Sequence, residues 1–336
     1  VTNRQNRVTT AGEGNNLRNI IALQDLGEAQ ILGFQDASVV GLNPVPSGFF
    51  TSPPSSPARN GNNLFNPALI NAGGLLNSSI RDVALVSNGF NSGISVSEGR
   101  DYGKLENARK LTANEYTYHP QLGYISLQQK LSNDEILAVA YQYTIGDEVY
   151  QVGEFGNDGV ESTTVDPEGI PSTQALVLKM LKSNLTNVSQ PIWNLMMKNI
   201  YSIQGGGQLS PEDFRFNIMY TDPSPLNYIT PAPGATLGDD VAETPLLRVF
   251  NLDRLNRNGD PQPNGDGFFD FIPGLTIDQQ FGRIIFTSVE PFGKYLFNKL
   301  DESGGTTDYD VPATYNLNQQ KYVFRNMYRS TQAGAL

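Results

Sequence analysis

Ala138-Val-Ala-Tyr-Gln-Tyr-Thr-Ile-Gly-Asp-Glu-Val-Tyr-Gln-Val-Gly153 reads as a β-hairpin. Two runs rich in β-branched and aromatic residues, Ala138–Thr144 and Glu148–Gly153, flank the turn residues Ile145-Gly146-Asp147. Working outward, Tyr124-Ile-Ser-Leu127, Leu137–Thr144, Val149–Val152 and Thr173–Leu181 carry strand patterns, and further strands are expected at Asp213–Tyr220, Leu246–Asn251 and Gly282–Phe286. Helical spacing over Asp101–Asn114 (Leu105, Ala108, Leu111) predicts one helix. The best helix spans Gln190–Ile203, with Pro191 at its start and Gly205-Gly206-Gly207 beyond its end as a stop. These patterns predict a mixed α+β, β-dominated fold of antiparallel sheets with a few short helices.

Composition divides the chain into an Asn/Gly/Pro/Ser-rich loop region at 1–100, a first α+β module at 101–205 and a second β-rich module at 206–336. In the first region Pro44-Val-Pro46, Pro53-Pro54-Ser-Ser-Pro57 and Asn60-Gly61-Asn62-Asn63 mark loops, and only Leu17–Phe34 and Ile80–Val86 suit regular structure. A weak repeat relates Leu122–Leu127 to Phe281–Phe286, and Val177–Ser183 to Val323–Ser330. It reads as a duplicated β-module or as generic strand starts.

The 336 residues hold 23 Lys plus Arg, 34 Asp plus Glu, one His and no Cys, for a net charge of -11. Without cysteine there is no disulfide, thiolate zinc site, iron–sulfur cluster or thiol nucleophile. One histidine excludes sites that need two. An acidic chain with no basic run is not a nucleic-acid binder. No apolar run approaches the roughly 18 residues of a spanning helix, a test that leaves transmembrane β-strands open. The chain opens Val1-Thr2-Asn3-Arg4 without Met or an apolar leader, which predicts a segment of a longer polypeptide.

Candidate chemistry is sparse. His119, in Tyr116-Thr-Tyr-His-Pro120, reads as a structural histidine, since no Gly-X-Ser-X-Gly elbow accompanies it. Glu13, Glu98, Glu106, Glu115, Asp134 and Glu135 read as solvated or helix-capping charges. Gly205–Gly207 follows a helix and lacks the Lys-Ser/Thr of a phosphate loop. The sharpest constellation is Asp253–Asp270, where Asp260, Asn264, Asp266 and Asp270 alternate around glycines as the oxygen ligands of a calcium loop would. Gln262 and Pro273 break that pattern, and Asx and Gly are equally the residues of a hairpin turn. The 17 Phe and 15 Tyr fill sheet faces or line a carbohydrate surface, with packing favoured.

Longer strings carry a resemblance. Leu105–Leu127, Val149-Tyr-Gln-Val-Gly-Glu-Phe155, Lys179-Met-Leu-Lys-Ser183, Pro191–Ser202, Leu252–Asn256 through Asp266–Asp270, Gly282–Phe286 and Glu290-Pro-Phe-Gly293 resemble the SprA/Sov family, the giant outer-membrane translocon of type IX secretion tied to gliding motility in Bacteroidetes. Asn16–Gln30 is a looser match, and 41–79 matches nothing in it. The resemblance implies an internal fragment of a very large β-barrel protein that passes folded cargo. It further implies a PorV-type outer-membrane partner, a periplasmic plug, and exposure of this segment to the periplasm or the cell exterior. It implies no catalytic residue. The expectation is therefore a non-enzymatic structural or interaction segment without a cofactor, calcium aside. The runner-up is a cell-surface carbohydrate-binding module or glycosidase, and a calcium-stapled adhesin is third.

Overall fold

The computed structural model describes residues 1–3, 18–24, 70, 76–90, 96–157, 160–161, 163–165, 169, 171–188, 191–203, 207–212, 214–221, 224–301 and 306–329. The Pro- and Asn-rich loops at 44–63, Glu13, and Gly205-Gly206 of the expected helix stop lie outside these residues. Thirteen strands occur among those described: β1 Arg18–Gln24, β2 Tyr102–Ala108, β3 Tyr116–His119, β4 Tyr124–Leu127, β5 Leu137–Val139, β6 Tyr141–Ile145, β7 Glu148–Val152, β8 Thr163–Val165, β9 Pro171–Thr173, β10 Leu176–Lys182, β11 Ile200–Ser202, β12 Ile277–Asp278 and β13 Arg283–Ile285. Helices are short turns, and none among the described residues is long and apolar enough to cross a membrane. The fold is β-dominated and, with one exception, its strand pairs are antiparallel.

The residues pack into two compact units, Val1–Thr117 with Ser126–Met196, and Tyr118–Ile125 with Met197–Leu336. The first is built on a sheet of order β2-β1-β10-β5, in which β1 and β10 are the parallel pair. These central strands are apolar on both faces, as strands covered on both sides must be. Ile20, Ala22, Leu176, Leu178 and Met180 line one core with Leu105 and Ile192. Ile21, Leu23 and Val177 line the other, under Ile80, Val86 and Val152. Thr2 is fully buried and bridges both Arg109, next to β2, and Leu137 of β5, so the two edges of the sheet meet through the first residues of the chain.

The second core face is fastened by a buried ion pair. Glu154, 1 % exposed, takes two bonds from the Arg81 guanidinium at 2.9 and 2.6 Å and a third from Val177 N at 2.8 Å. Arg81 also donates to Ala175 O at 3.2 Å and accepts from Ala175 N at 2.8 Å. A buried charge is tolerated when its lone pairs are filled in this way, and loss of one partner costs about 3–5 kcal/mol.

The expected hairpin forms as β6 and β7, Ile145 facing Glu148 across Gly146-Asp147, with Gly146 at φ +60°. The glycine at the first turn position matches the right-handed strand twist. Four other elements differ from the sequence expectation. Asp101–Asn114 holds strand β2 instead of a helix. Ile20 and Arg18 pair with Leu105 and Ala108, so one residue of β1, Asn19, faces two of β2, and Asn107 is left-handed at φ +51°. That bulge turns Leu105 and Ala108 toward the same core and imitates helical spacing.

Gln190–Ile203 is a 3₁₀ turn at Pro191–Leu195 followed by β11, because Ile200–Ser202 is claimed by long-range pairing with Ile285–Arg283. Leu246–Asn251, expected as a strand, is a helical turn at Leu246–Val249, with Leu246, Leu247, Val249 and Phe250 all buried. An apolar run buried on every side has no period to separate helix from strand. Phe214 and Phe216 alternate as predicted, but 214–219 makes no ladder among the described residues and only Tyr220 pairs, with Leu226. Of the repeat strings, Val177–Lys182 falls in strand β10 whereas Arg325–Tyr328 is helical.

The second unit centres on β11-β13-β12 and on packed aromatics. Phe250, Phe286, Phe292 and Tyr201 meet edge to face at 5.1–5.7 Å. Phe214 contacts Phe269 and Phe271 at 5.6 and 5.4 Å in the same way. Such pairs add about 0.5–1.5 kcal/mol each beyond burial. Much of the aromatic content is therefore core, as the packing reading expected.

Candidate functional site

The Asx-rich loop is organised by a residue ahead of the four candidate ligands. Asp253 is fully buried, and its carboxylate accepts from Asp266 N at 2.8 Å and Gly267 N at 3.2 Å. A Cβ at Gly265, where φ is +61°, would stand 2.1 Å from Asp253 Oδ1, so only glycine lets the chain close over the carboxylate. Asp270 accepts from Arg254 N at 2.6 Å and Leu255 N at 3.2 Å. Burial, opposed by those two bonds, raises its pKa, and the charges of Asp253 and Asp266 push the same way. Asp266 caps Phe268 N at 3.0 Å.

Asp260 turns elsewhere. Its nitrogen donates to Asn256 Oδ1 at 3.0 Å and its carboxylate accepts from Asn256 Nδ2 at 3.4 Å, while Asn264 is exposed. The fold thus brings Asp266 and Asp270 to Asp253 and gives Asp260 to a separate turn. Among the described residues, no group of three or more His, Asp or Glu is arranged to hold a metal ion. What the loop does chemically is satisfy backbone amides, the ordinary task of Asx residues in tight turns.

His119 stacks on Tyr124 with centroids 4.2 Å apart and planes at 14°. Its Nε2 is buried and without a hydrogen-bond partner among the described residues, so no serine hydroxyl reaches it. Burial raises the pKa of Tyr124. Of the carboxylates expected to be solvated or capping, Glu135 is buried and accepts from Ser132 N at 2.7 Å. Glu115 takes two 2.7 Å bonds from Arg109 and one of 2.8 Å from Thr112 N.

The densest polar site was not visible as a motif. Glu290 is 3 % exposed, sits in the left-handed region at φ +51°, and opens a single π-helical turn at Pro291–Tyr295. Its Oε1 receives Lys198 Nζ at 3.1 Å and Arg329 at 2.8 Å, and its Oε2 receives Tyr309 OH at 2.9 Å. The neighbouring Tyr201 and Tyr328 hydroxyls are 2.5 Å apart, and Tyr328 OH also accepts from Phe292 N at 3.2 Å. Burial lowers the pKa of Lys198 and raises those of Tyr201, Tyr309 and Tyr328, the last to about 12. Gly293 is required here too, for a Cβ would lie 2.5 Å from Tyr309 OH and 2.6 Å from the Tyr328 ring.

This arrangement is a closed clamp. One buried anion gathers donors from 198, 309 and 329, with every oxygen occupied by the chain's own groups. It fixes the segment after Phe324 against β11 and the π turn. The sequence signal was the string Glu290-Pro-Phe-Gly293, whose partners are far apart in the chain and could not be paired from spacing.

Residues 2–150 match the family model SprA_N, described as motility related/secretion protein. The match takes in β1 to β6 and the start of β7, with the strings at Leu105–Leu127 and the start of Val149–Phe155; it also spans 41–79, where the sequence alone suggested nothing. Curated proteins give no match. Over residues 2–150 the chain is similar to this motility-related and secretion family, in line with the SprA/Sov resemblance that the longer strings carry.

Proposed function

We propose that this chain is a structural and interaction segment of the type IX secretion outer-membrane translocon, which exports folded proteins and supports gliding motility. The observation that carries the reading is the family match over residues 2–150. The buried polar groups of both units support it, because Glu154, Asp253, Asp270 and Glu290 are all engaged with the chain's own donors, as a scaffold requires. On this reading the segment is non-enzymatic, needs no cofactor, and lies at the outer membrane facing the periplasm or the exterior. Its contacts are other parts of the same β-barrel, a PorV-type protein, a periplasmic plug and exported cargo.

The test is made in the full-length gene. In-frame removal of this segment is expected to leave the remaining protein in the outer membrane, detected by immunoblot, while cargo disappears from the medium and colonies stop spreading. Normal export and spreading by cells that carry the shortened protein would sink the proposal.

A further inference from the structure

Asn-Gly pairs stand at 60–61, 88–89, 258–259 and 264–265, and the last three lie among the described residues. In such a pair the glycine nitrogen can attack the asparagine side-chain carbon, because glycine has no side chain to hinder its approach. Each of the three glycine nitrogens holds one turn hydrogen bond: Gly89 to Val86 O at 2.9 Å, Gly259 to Asn256 O at 2.8 Å, and Gly265 to Gln262 O at 3.0 Å. That bond does not separate them, whereas packing does.

Ring closure must rotate the Asn-Gly peptide out of its turn. A Cβ on Gly89 would lie 2.6 Å from the backbone of Ile80, and one on Gly265 would lie 2.1 Å from Asp253 Oδ1. The Gly265 carbonyl is also held by Gln262 Nε2 at 2.8 Å. Both glycines are walled in by atoms that the fold itself holds in place. Gly259, at φ +82°, has nothing within 4 Å of that position, and Asn258 and Gly259 are both exposed. Asn258 is tethered through its backbone, whose nitrogen donates to Asn256 Oδ1 at 2.8 Å, and its side-chain amide faces solvent.

We propose that Asn258 is a self-modification site, the described Asn-Gly pair that the fold leaves free to deamidate. Gly259 N bonds to Asn258 Cγ, the Cγ–Nδ2 bond breaks, and ammonia leaves with the proton from nitrogen, giving a five-membered succinimide. Water then opens either carbonyl and leaves aspartate or isoaspartate, with no change of oxidation state. Either product places a new negative charge between Arg257 and Asp260. Isoaspartate also lengthens the backbone by a carbon inside the turn that Asn256 N closes on Asp260 O at 2.9 Å, next to the Leu255–Pro261 bridge.

The experiment incubates the folded chain, and the same chain unfolded in urea, in mildly alkaline buffer at physiological temperature. Peptide mapping by mass spectrometry follows conversion at 88, 258 and 264, with N258Q as the assignment control. The folded chain is expected to convert Asn258 several-fold faster than Asn88 and Asn264, and unfolding is expected to bring the three rates together. Equal rates in the folded chain, or an Asn258 that is protected by folding as strongly as the other two, would overturn the proposal.

Discussion

Glu115 shows what one residue does when the fold gives it a partner. Two bonds from Arg109, together with Thr112, hold its carboxyl at a pKa of about 2 against an ordinary 4.5, with burial opposing. The folded value lies below the unfolded one, so the stabilisation is complete above the unfolded pKa and is lost as pH falls toward the folded pKa. Urea midpoints measured down that acid range are expected to fall more steeply for the native chain than for Glu115→Gln; parallel curves would show that the pair contributes nothing. The sequence placed Glu115 among solvated or helix-capping charges, whereas it is paired with Arg109 and, among the described residues, no helix lies beside it. It accepts from Thr112 N, but its main partner is Arg109, six residues earlier, which is 5 % exposed and bridges Thr2. Gly265 was legible only as a turn glycine for a similar reason, since the carboxylate it must clear belongs to Asp253, twelve residues before it.

At the scale of elements, the tight hairpin was readable from its own residues, whereas β2 and β11 took their form from distant partners. The β6–β7 hairpin follows from alternation and turn chemistry, and β13 from the short apolar run Ile284–Phe286. Strand β2 imitated a helix because its bulge spaces Leu105 and Ala108 three apart, and β11 was hidden inside a helical pattern because its strand partner is the distant β13. The loop 253–270 is the same lesson in side chains. Spacing showed its oxygens but not the amides they would meet, and Asp253, Asp266 and Asp270 each accept from main-chain nitrogens. A cation bound only by the folded loop would raise the melting temperature, by an amount that grows with the logarithm of its free concentration above its Kd. With these carboxylates already engaged, a chelator is expected to leave the melt unchanged, and a clear fall in melting temperature would show that the loop holds a metal after all.

The whole molecule is two units with separate cores, and that separation has a measurable consequence. Leu23 is fully buried beneath Ile80 and Val86, whereas Leu252 is fully buried among Val249, Ile277 and the aromatics. Truncation to alanine at either position removes transfer free energy and leaves a cavity, a cost of about 2–5 kcal/mol. Among the described residues Leu23 packs in a cluster of the first unit and Leu252 in one of the second, so each loss is expected to loosen its own unit first. Hydrogen exchange is therefore expected to show Leu23→Ala loosening the amides of β1, β2 and β10 while β13 keeps its protection, with Leu252→Ala giving the reverse pattern. Protection lost across both units from either substitution would mean that they fold as one. The same reasoning explains why the Glu290 clamp was the least legible feature of the chain. Each member alone is a commonplace polar residue, and the site exists only once β11, the π turn and the segment at 309–329 have been folded together.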